Sequence, residues 1–149
     1  MLSAAALPGL AATCTVAATP LAYGGYDPLY ASPVQVNATV TVSCLVVVGP
    51  LNPIGYSVAL GTSATTGTMA RAMAGPLGAR LQYNLYTSAG YSTVWGDGSG
   101  GTQTVAGSVT PLSLGAGVSR NHVISGNVPA LQSVRVGAYA DSIVVTVDY

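Results

Sequence analysis

Apolar and polar residues alternate along much of this chain, which is the pattern of strands that bury one face. The longest such run covers residues 34–44, where Val, Ala and Cys occupy one face and Gln, Asn, Thr and Ser the other. Residues 142–149 repeat the pattern and end the sequence. The apolar face of this last run carries Ile143, Val145, Val147 and Tyr149. Both runs are predicted to be half-buried strands.

Shorter segments with the same alternation predict the remaining strands. They lie at residues 13–18, 56–60, 81–86, 102–107, 120–125 and 133–137. Clusters of Gly, Pro, Asp, Ser and Thr separate them and predict turns, whereas no window keeps the 3.6-residue apolar period of a helix. Many short strands without intervening helices favour an all-β fold, an antiparallel β-sandwich.

Charge is scarce in this chain and changes what partners it is expected to have. Among its 149 residues the Lys and Arg total is four, all Arg, and the Asp and Glu total is four, all Asp, so the net charge is zero. Such a surface provides no field that attracts nucleic acid, and it favours self-association. The chain has no run of about 18 apolar residues, which a membrane-spanning helix would need, so membrane insertion is not expected. Either neighbouring molecules cover this surface, or Ser, Thr, Asn and Gly alone keep it soluble.

The two cysteines, Cys14 and Cys44, lie in or at the end of predicted strands. A disulfide between them closes a loop of roughly 30 residues, which is worth on the order of 3–4 kcal/mol, and it persists only in an oxidising compartment. The alternative is two buried free thiols. His122 is the sole histidine and adds too few ligands for a metal site, so neither a metal nor another cofactor is expected.

Four segments together resemble the spore coat protein U domain family, which includes subunits of archaic chaperone-usher pili. They are TCTVAATPLAYGGYDPL at 13–29, VTVSC at 40–44, LQYNLYTSAGYSTVWGDGSGG at 81–101 and GAYADSIVVTVDY at 137–149. They follow the family's order over nearly the whole chain. Tyr23 departs from the family's pattern, which has Phe at that turn.

The resemblance implies an immunoglobulin-like sandwich that lacks its last strand. A periplasmic chaperone first fills the gap, an outer-membrane usher receives the subunit, and a strand from an identical or related subunit then completes the fold by donor-strand complementation. The implied product is a secreted extracellular fibre that serves surface adhesion and biofilm formation. A fibre-tip adhesin for a surface or carbohydrate ligand and a spore or cell-surface coat protein are the alternatives.

The last predicted strand is the expected acceptor edge. Its apolar face comprises Ile143, Val145, Val147 and Tyr149. No sequence follows it to form a hairpin partner, and an apolar free edge promotes aggregation. Either another molecule covers this edge, or an internal strand or the N-terminal strand of the same chain does.

Residues 1–13 precede the expected pilin domain at 14–149 and have two interpretations. Their apolar run and small residues resemble the end of a secretory signal, although a basic region is missing. Alternatively they are the donor strand, with Leu2, Leu7 and Leu10 as candidate contacts and Pro8 as a residue that cannot donate a ladder hydrogen bond.

The remaining residues that could take part in catalysis or ligand binding do not predict a functional site. His122 with Ser119 or Ser125 nominally offers a nucleophilic site, but an isolated histidine in a predicted strand favours a structural role, so no enzyme is expected. The aromatic residues Tyr91 and Trp95 either form a sugar-stacking platform or pack as a core anchor beside a loop.

Two aspartates are expected to have structural roles. Asp97 reads as part of a tight turn, because a single carboxylate lacks the ligand count for calcium. Asp141 is expected to accept backbone N–H bonds or to pair with Arg71, Arg80 or Arg135.

Overall fold

The computed structural model describes residues 11–149 and shows an antiparallel β-sandwich. Nine strands and one short 3₁₀ turn make up its regular structure, and the described residues contain no α-helix. The strands are β1 (Ala11–Ala18), β2 (Val34–Val48), β3 (Ile54–Leu60), β4 (Ala72–Ala74), β5 (Arg80–Gln82), β6 (Asn84–Tyr86), β7 (Val105–Val109), β8 (Val118–Val128) and β9 (Val145–Asp148). The turn spans Pro76–Gly78.

The strands form two main sheets and one small one. The first sheet has the order β1-β2-β8-β6, the second has the order β7-β3-β9, and β4 and β5 form a separate two-stranded sheet. All the pairings between these strands are antiparallel. The long alternating run therefore becomes the central strand β2, which pairs with a neighbour along both of its edges.

The core lies between the two main sheets and consists of the apolar faces that the alternation predicts. Val40, Val42 and Val46 of β2 are fully buried, and Val58 of β3 faces them from the other sheet. Trp95 is also fully buried, and its indole N–H donates to the carbonyl oxygen of Val58 over 2.9 Å. A single core thus joins both sheets.

Several strand predictions differ from the structure in their bounds. The segment predicted as one strand at 81–86 is split into β5 and β6 at Tyr83, although Leu81, Tyr83 and Leu85 all point into the core as expected. The predicted strand at 133–137 is wrong, because among the described residues no strand lies beside it to pair with. The final strand is shorter than expected, and β4 was not predicted at all.

Candidate strand-acceptor groove

Within residues 11–149, β1 of the first main sheet and β9 of the second each have one edge without a neighbouring strand, and these two edges lie on the same side of the sandwich. In the described part of the chain β1 pairs only with β2, and β9 pairs only with β3. β1 and β9 lie close to each other across the opening between the sheets. An additional strand placed there has backbone groups to pair with and a core to cover.

A groove of about 850 Å³ opens at this position. The segment that follows β1 forms one wall, and residues 134–145 form the other. Its floor consists of apolar side chains of both main sheets and of β5, namely Val34, Leu60, Leu81, Leu85, Ile124 and Val128. The groove is therefore a gap in the core rather than a pocket between surface loops.

Backbone hydrogen bonds show which groups of β9 face the open edge. Gly61 N donates to Val144 O over 2.8 Å, and Thr146 and Asp148 lie in register with Ala59 and Ser57 of β3. Since successive residues of a strand direct their N–H and C=O groups to opposite edges, the intervening residues direct theirs away from β3. Val145 and Val147, and Ile143 just before β9, therefore direct to the opening backbone groups that have no partner within residues 11–149.

Ile143, Val145 and Val147 are also among the residues that the sequence pattern predicts for the acceptor edge. Ile143, Val145 and Val147 are half-buried against the core, whereas Tyr149 is 59% exposed and Val144, on the outer face, is 72% exposed. Ile143 and Val145 also line the groove. An incoming strand would thus meet free backbone groups and incompletely covered side chains at the same positions.

A disulfide joins Cys14 of β1 to Cys44 of β2, which confirms the pairing predicted from the sequence. The two residues are directly opposite each other in the ladder, with Cα atoms 4.1 Å apart. The link fixes β1 to the centre of its sheet and so fixes the position of one edge of the opening.

Asp141 holds the chain in place as it approaches β9. Its carboxylate accepts hydrogen bonds from Ser63 Oγ at 2.6 Å, Tyr83 Oη at 2.7 Å and Thr65 N at 3.1 Å. Partial burial raises the pKa of Asp141, but hydrogen bonds from Ser63 and Tyr83 outweigh it and hold the pKa below its usual value. The expected backbone N–H donor is present, and the other partners are hydroxyls rather than an Arg.

Arg71 is buried and organises the adjacent end of β3. Its guanidinium donates to the carbonyl oxygens of Leu60, Gly61 and Trp95 and to Asn84 Oδ1. Burial lowers the pKa of Arg71, and the hydrogen bonds to carbonyl oxygens offset part of the cost of burying this cation. The local pattern around Arg71 does not predict this role, and only the rarity of charge in the chain singles the residue out.

The segment after β1 runs over the inner face of β8 and places Tyr23 in the groove wall. A side chain at position 126 would collide with Tyr23, so Gly126 makes this close approach possible. Tyr23 packs edge-on against Tyr83 with ring centroids 6.1 Å apart. Burial raises the pKa of Tyr23, and in residues 11–149 its hydroxyl is a buried polar group without a hydrogen-bond partner.

The structure does not assemble the residues of the alternative catalytic site. His122 Nε2 lies 2.7 Å from the hydroxyl of Tyr56, and Ser119 Oγ lies 2.6 Å from Ser43 Oγ. His122 faces the opposite side of β8 from Ser119 and Ser125, since strand residues alternate between faces. Burial, followed by the charge of Arg120, lowers the pKa of His122.

Two predictions for the loop near residue 95 have different outcomes. The interpretation of Trp95 as a contact residue is wrong, because its side chain has no exposed surface, and the alternative as a core anchor is confirmed. Tyr91 packs edge-on against Tyr86 with ring centroids 5.5 Å apart, and its contact role stays a prediction.

Asp97 forms the predicted turn, in which its carboxylate accepts the backbone N–H of Ser99 over 2.9 Å. A side-chain hydrogen bond from Ser99, followed by this backbone bond, lowers the pKa of Asp97. Within residues 11–149 no group of three or more His, Cys, Asp or Glu residues is placed to hold a metal ion.

The candidate donor residues Leu2, Leu7 and Leu10 lie outside the described residues. The structure begins at Ala11, which already belongs to β1 and pairs with Val48. β1 thus starts at Ala11 and not at residue 13 as predicted, so Ala11, Ala12 and Thr13 are part of the sandwich.

In the described part of the chain no helix has the length and apolar character needed to cross a membrane.

The two-sheet sandwich with an open edge defines the chain as an immunoglobulin-like β-protein. The family model of the Spore Coat Protein U domain matches residues 2–146. The chain belongs to this family, as its resemblance predicted.

A solved structure supports the fold. The chain is similar to a chain in the crystal structure of the CsuC-CsuE chaperone-tip adhesion subunit pre-assembly complex from archaic chaperone-usher Csu pili of Acinetobacter baumannii. The TM-score is 0.57 at 18% identity, and the match covers 93% of this chain but 40% of that chain. The chain thus spans less than half the length of its structural neighbour. No curated protein matches the sequence.

Proposed function

We propose that this protein is a non-enzymatic structural subunit of a secreted extracellular fibre, assembled by donor-strand exchange. The observation that supports this most directly is the opening between β1 and β9, where half-buried side chains coincide with backbone groups that lack a partner in the described part of the chain. Membership of the Spore Coat Protein U domain family and the fold shared with a protein of a chaperone-usher pilus complex point the same way.

The incoming strand binds along β9 in this proposal. Backbone hydrogen bonds to Ile143, Val145 and Val147 provide the affinity, and alternate apolar side chains enter the groove above Leu60 and Ile124. A periplasmic chaperone supplies the first such strand, the subunit passes to an outer-membrane usher, and an identical or related subunit supplies the second. Surface adhesion and biofilm formation are the expected use of the fibre.

The expected division into a segment at 1–13 and a pilin domain at 14–149 is moved to residue 10 in this proposal, because Ala11, Ala12 and Thr13 belong to β1. If the segment is retained, Leu2, Leu7 and Leu10 are the side chains that we expect to enter a neighbour's groove. If it is a signal remnant, mass spectrometry of the purified protein finds a chain that lacks these residues. The second outcome makes this chain an acceptor whose donor is a different subunit.

The test is assembly of the full chain and of two variants that place a charge on an apolar position. Val145→Asp puts a carboxylate at the edge that binds the strand, so we expect its assembly into sedimenting fibres to fall at least tenfold. Val123→Asp is the matched control, because Val123 is 52% exposed on the outer face of β8, away from the opening. It should assemble as the unchanged chain does.

Amide hydrogen exchange then identifies the strand addition itself. Assembly should protect the amides of Ile143, Val145 and Val147, which have no partner in the described chain. Fibres that form while these three amides stay unprotected, or that form equally well with Val145→Asp, would show that the proposal is wrong. Circular dichroism of each variant checks that the sandwich is intact.

A further inference from the structure

Two clusters of exposed apolar side chains lie at opposite ends of the sandwich. We call the first the entry cluster, because it lies where the chain enters β1; it consists of Val47, Val48, Leu51, Leu112 and Leu114. The second, at the far end of β2, is called the opposite cluster and consists of Leu29, Tyr30, Leu77, Leu131 and Val136. β2 runs the full distance between them.

The entry cluster is formed by two loops that are tied to the end of β2. Gly115 N donates to Val46 O over 2.8 Å, which holds the loop between β7 and β8 against this strand. Leu112 in that loop is 86% exposed. The segments at 45–54 and 109–118 contain no ionisable side chain, so only apolar and neutral polar groups surround the cluster.

The opposite cluster is also built on loops that hydrogen bonds and packing hold together. Tyr26 Oη donates to Pro129 O over 2.9 Å and accepts from Gln132 N over 2.8 Å, which ties the loop before β2 to the loop after β8. Gly137 packs so closely against Pro76 that a side chain there would collide with it. Val136, which precedes this contact, is 100% exposed.

Apolar patches of this kind on a soluble protein mark contact surfaces. Two different patches at opposite ends of one chain cannot satisfy each other within a single molecule. They can do so head to tail between copies, and such a heterologous contact continues into an open fibre instead of closing as a symmetric dimer does. The zero net charge of the chain leaves little repulsion to oppose this contact.

The direction of β9 decides which ends of two neighbours meet. β9 pairs with β3 from Leu60 opposite Val145 to Ser57 opposite Asp148, so it runs toward the entry cluster. A donor strand antiparallel to β9 runs the other way and leaves the groove beside the opposite cluster. Where the donor is the retained N-terminal segment of a neighbouring copy, it then continues into β1 of that copy at Ala11, beside that copy's entry cluster. The entry cluster of one copy therefore faces the opposite cluster of the next.

We propose that these two clusters form a second contact between successive copies of this chain, packed against each other around the donor strand. The inference rests on the proposed function, because the donor strand sets the polarity of the contact. Its consequence is that successive subunits meet at a fixed angle instead of hanging from a single flexible strand.

Cysteine crosslinking in the assembled full chain tests this contact. Both native cysteines are consumed in the disulfide, so a short bis-maleimide reacts only with introduced thiols. The double variant Leu112→Cys with Val136→Cys should give a ladder of covalent multimers after denaturation. Each single variant should give none, and Leu112→Cys with Val123→Cys is the matched control that should also give none.

The outcomes separate this inference from the proposed function. Fibres that sediment normally but give no ladder with the Leu112→Cys and Val136→Cys variant would overturn the second contact and leave strand exchange standing. Covalent dimers from Leu112→Cys alone would overturn it in favour of a symmetric contact between entry clusters. Failure of the unchanged chain to assemble at all would count against both proposals.

Discussion

β2 and β9 carry the same alternation of apolar and polar residues, yet the sandwich treats them differently. β2 pairs with β1 and β8 on its two edges, and its inward side chains from Val40 to Val46 are buried. β9 pairs only with β3 in the described chain, and its inward residues Val145 and Val147 are half-buried. The difference lies in the number of neighbours and not in the pattern.

This contrast shows that periodicity specifies a strand's faces but not how many neighbours pair with its edges. A strand whose two edges are paired within the chain and a strand that needs a partner molecule show the same alternation in sequence. What distinguishes them is the order of strands in the sheet, which depends on residues far apart in the chain. If β9 differs from β2 only in its number of paired neighbours, the difference should appear in stability and in amide exchange.

The largest effect is expected from a charge placed on each strand. Val42→Asp buries a carboxylate without a partner and should lower the free energy of unfolding by about 4–5 kcal/mol or more, enough to prevent folding. Val145→Asp should cost only about 1–2 kcal/mol in the isolated subunit, because its side chain reaches the open groove. Urea unfolding of both variants makes the comparison, and equal losses would contradict the distinction between the strands.

Removal of the disulfide should have the next largest effect. The double variant Cys14→Ser with Cys44→Ser removes the covalent link between β1 and β2. It should lower the free energy of unfolding by about 2–5 kcal/mol. The unchanged chain should fall to the same stability when it is reduced, which is the control. A variant that is as stable as the oxidised chain would show that the other hydrogen bonds of β1 suffice to hold this edge.

A smaller, pH-dependent effect is expected at Asp141. Asp141→Asn weakens the hydrogen bonds from Ser63 and Tyr83 and should cost about 1–3 kcal/mol at neutral pH. Because the pKa of Asp141 is lowered in the folded state, its contribution is complete above the ordinary value of about 3.9 and is lost as the pH falls through the folded value.

Stability of the unchanged chain should therefore decline below about pH 4 more steeply than that of Asp141→Asn. Thermal unfolding between pH 2 and 7 measures this, with Asp148→Asn as the control at an exposed position of β9. Parallel pH curves for the unchanged chain and Asp141→Asn would contradict the assigned role.

The finest test changes no residue and compares amide exchange along the two strands in the unassembled chain. In β2 both even and odd positions should be protected, since both edges are paired. In β9 the amides of Thr146 and Asp148 should exchange more slowly than those of Val145 and Val147. Equal rates at all four positions would mean that the open edge has a partner in the monomer.

Much of the fold follows from local pattern. The alternation assigned the buried face of β2 correctly, and the two cysteines were sufficient to suggest the disulfide. The apolar face of β9 was likewise visible in Val145 and Val147. Each of these features depends on residues close in sequence or on the simplest pairing of two cysteines.

The remaining features depend on contacts between distant segments. The alternation at 133–137 predicted a strand, but without a neighbouring strand a suitable sequence stays irregular. Arg71 and Asp141 have partners in several loops, and the identity of those partners depends on how the loops meet. The groove itself is defined by two edges from opposite ends of the chain, so no local pattern describes it.

The position of the disulfide has a mechanical consequence for a chain pulled from its N-terminal end. Tension at residue 10 reaches β1 first and loads its hydrogen bonds to the antiparallel β2. Only Ala11, Ala12 and Thr13 can peel away before the pull reaches Cys14, where the covalent link passes it to Cys44. The load then falls on the strand that is paired along both edges, and the weaker edge strand is spared.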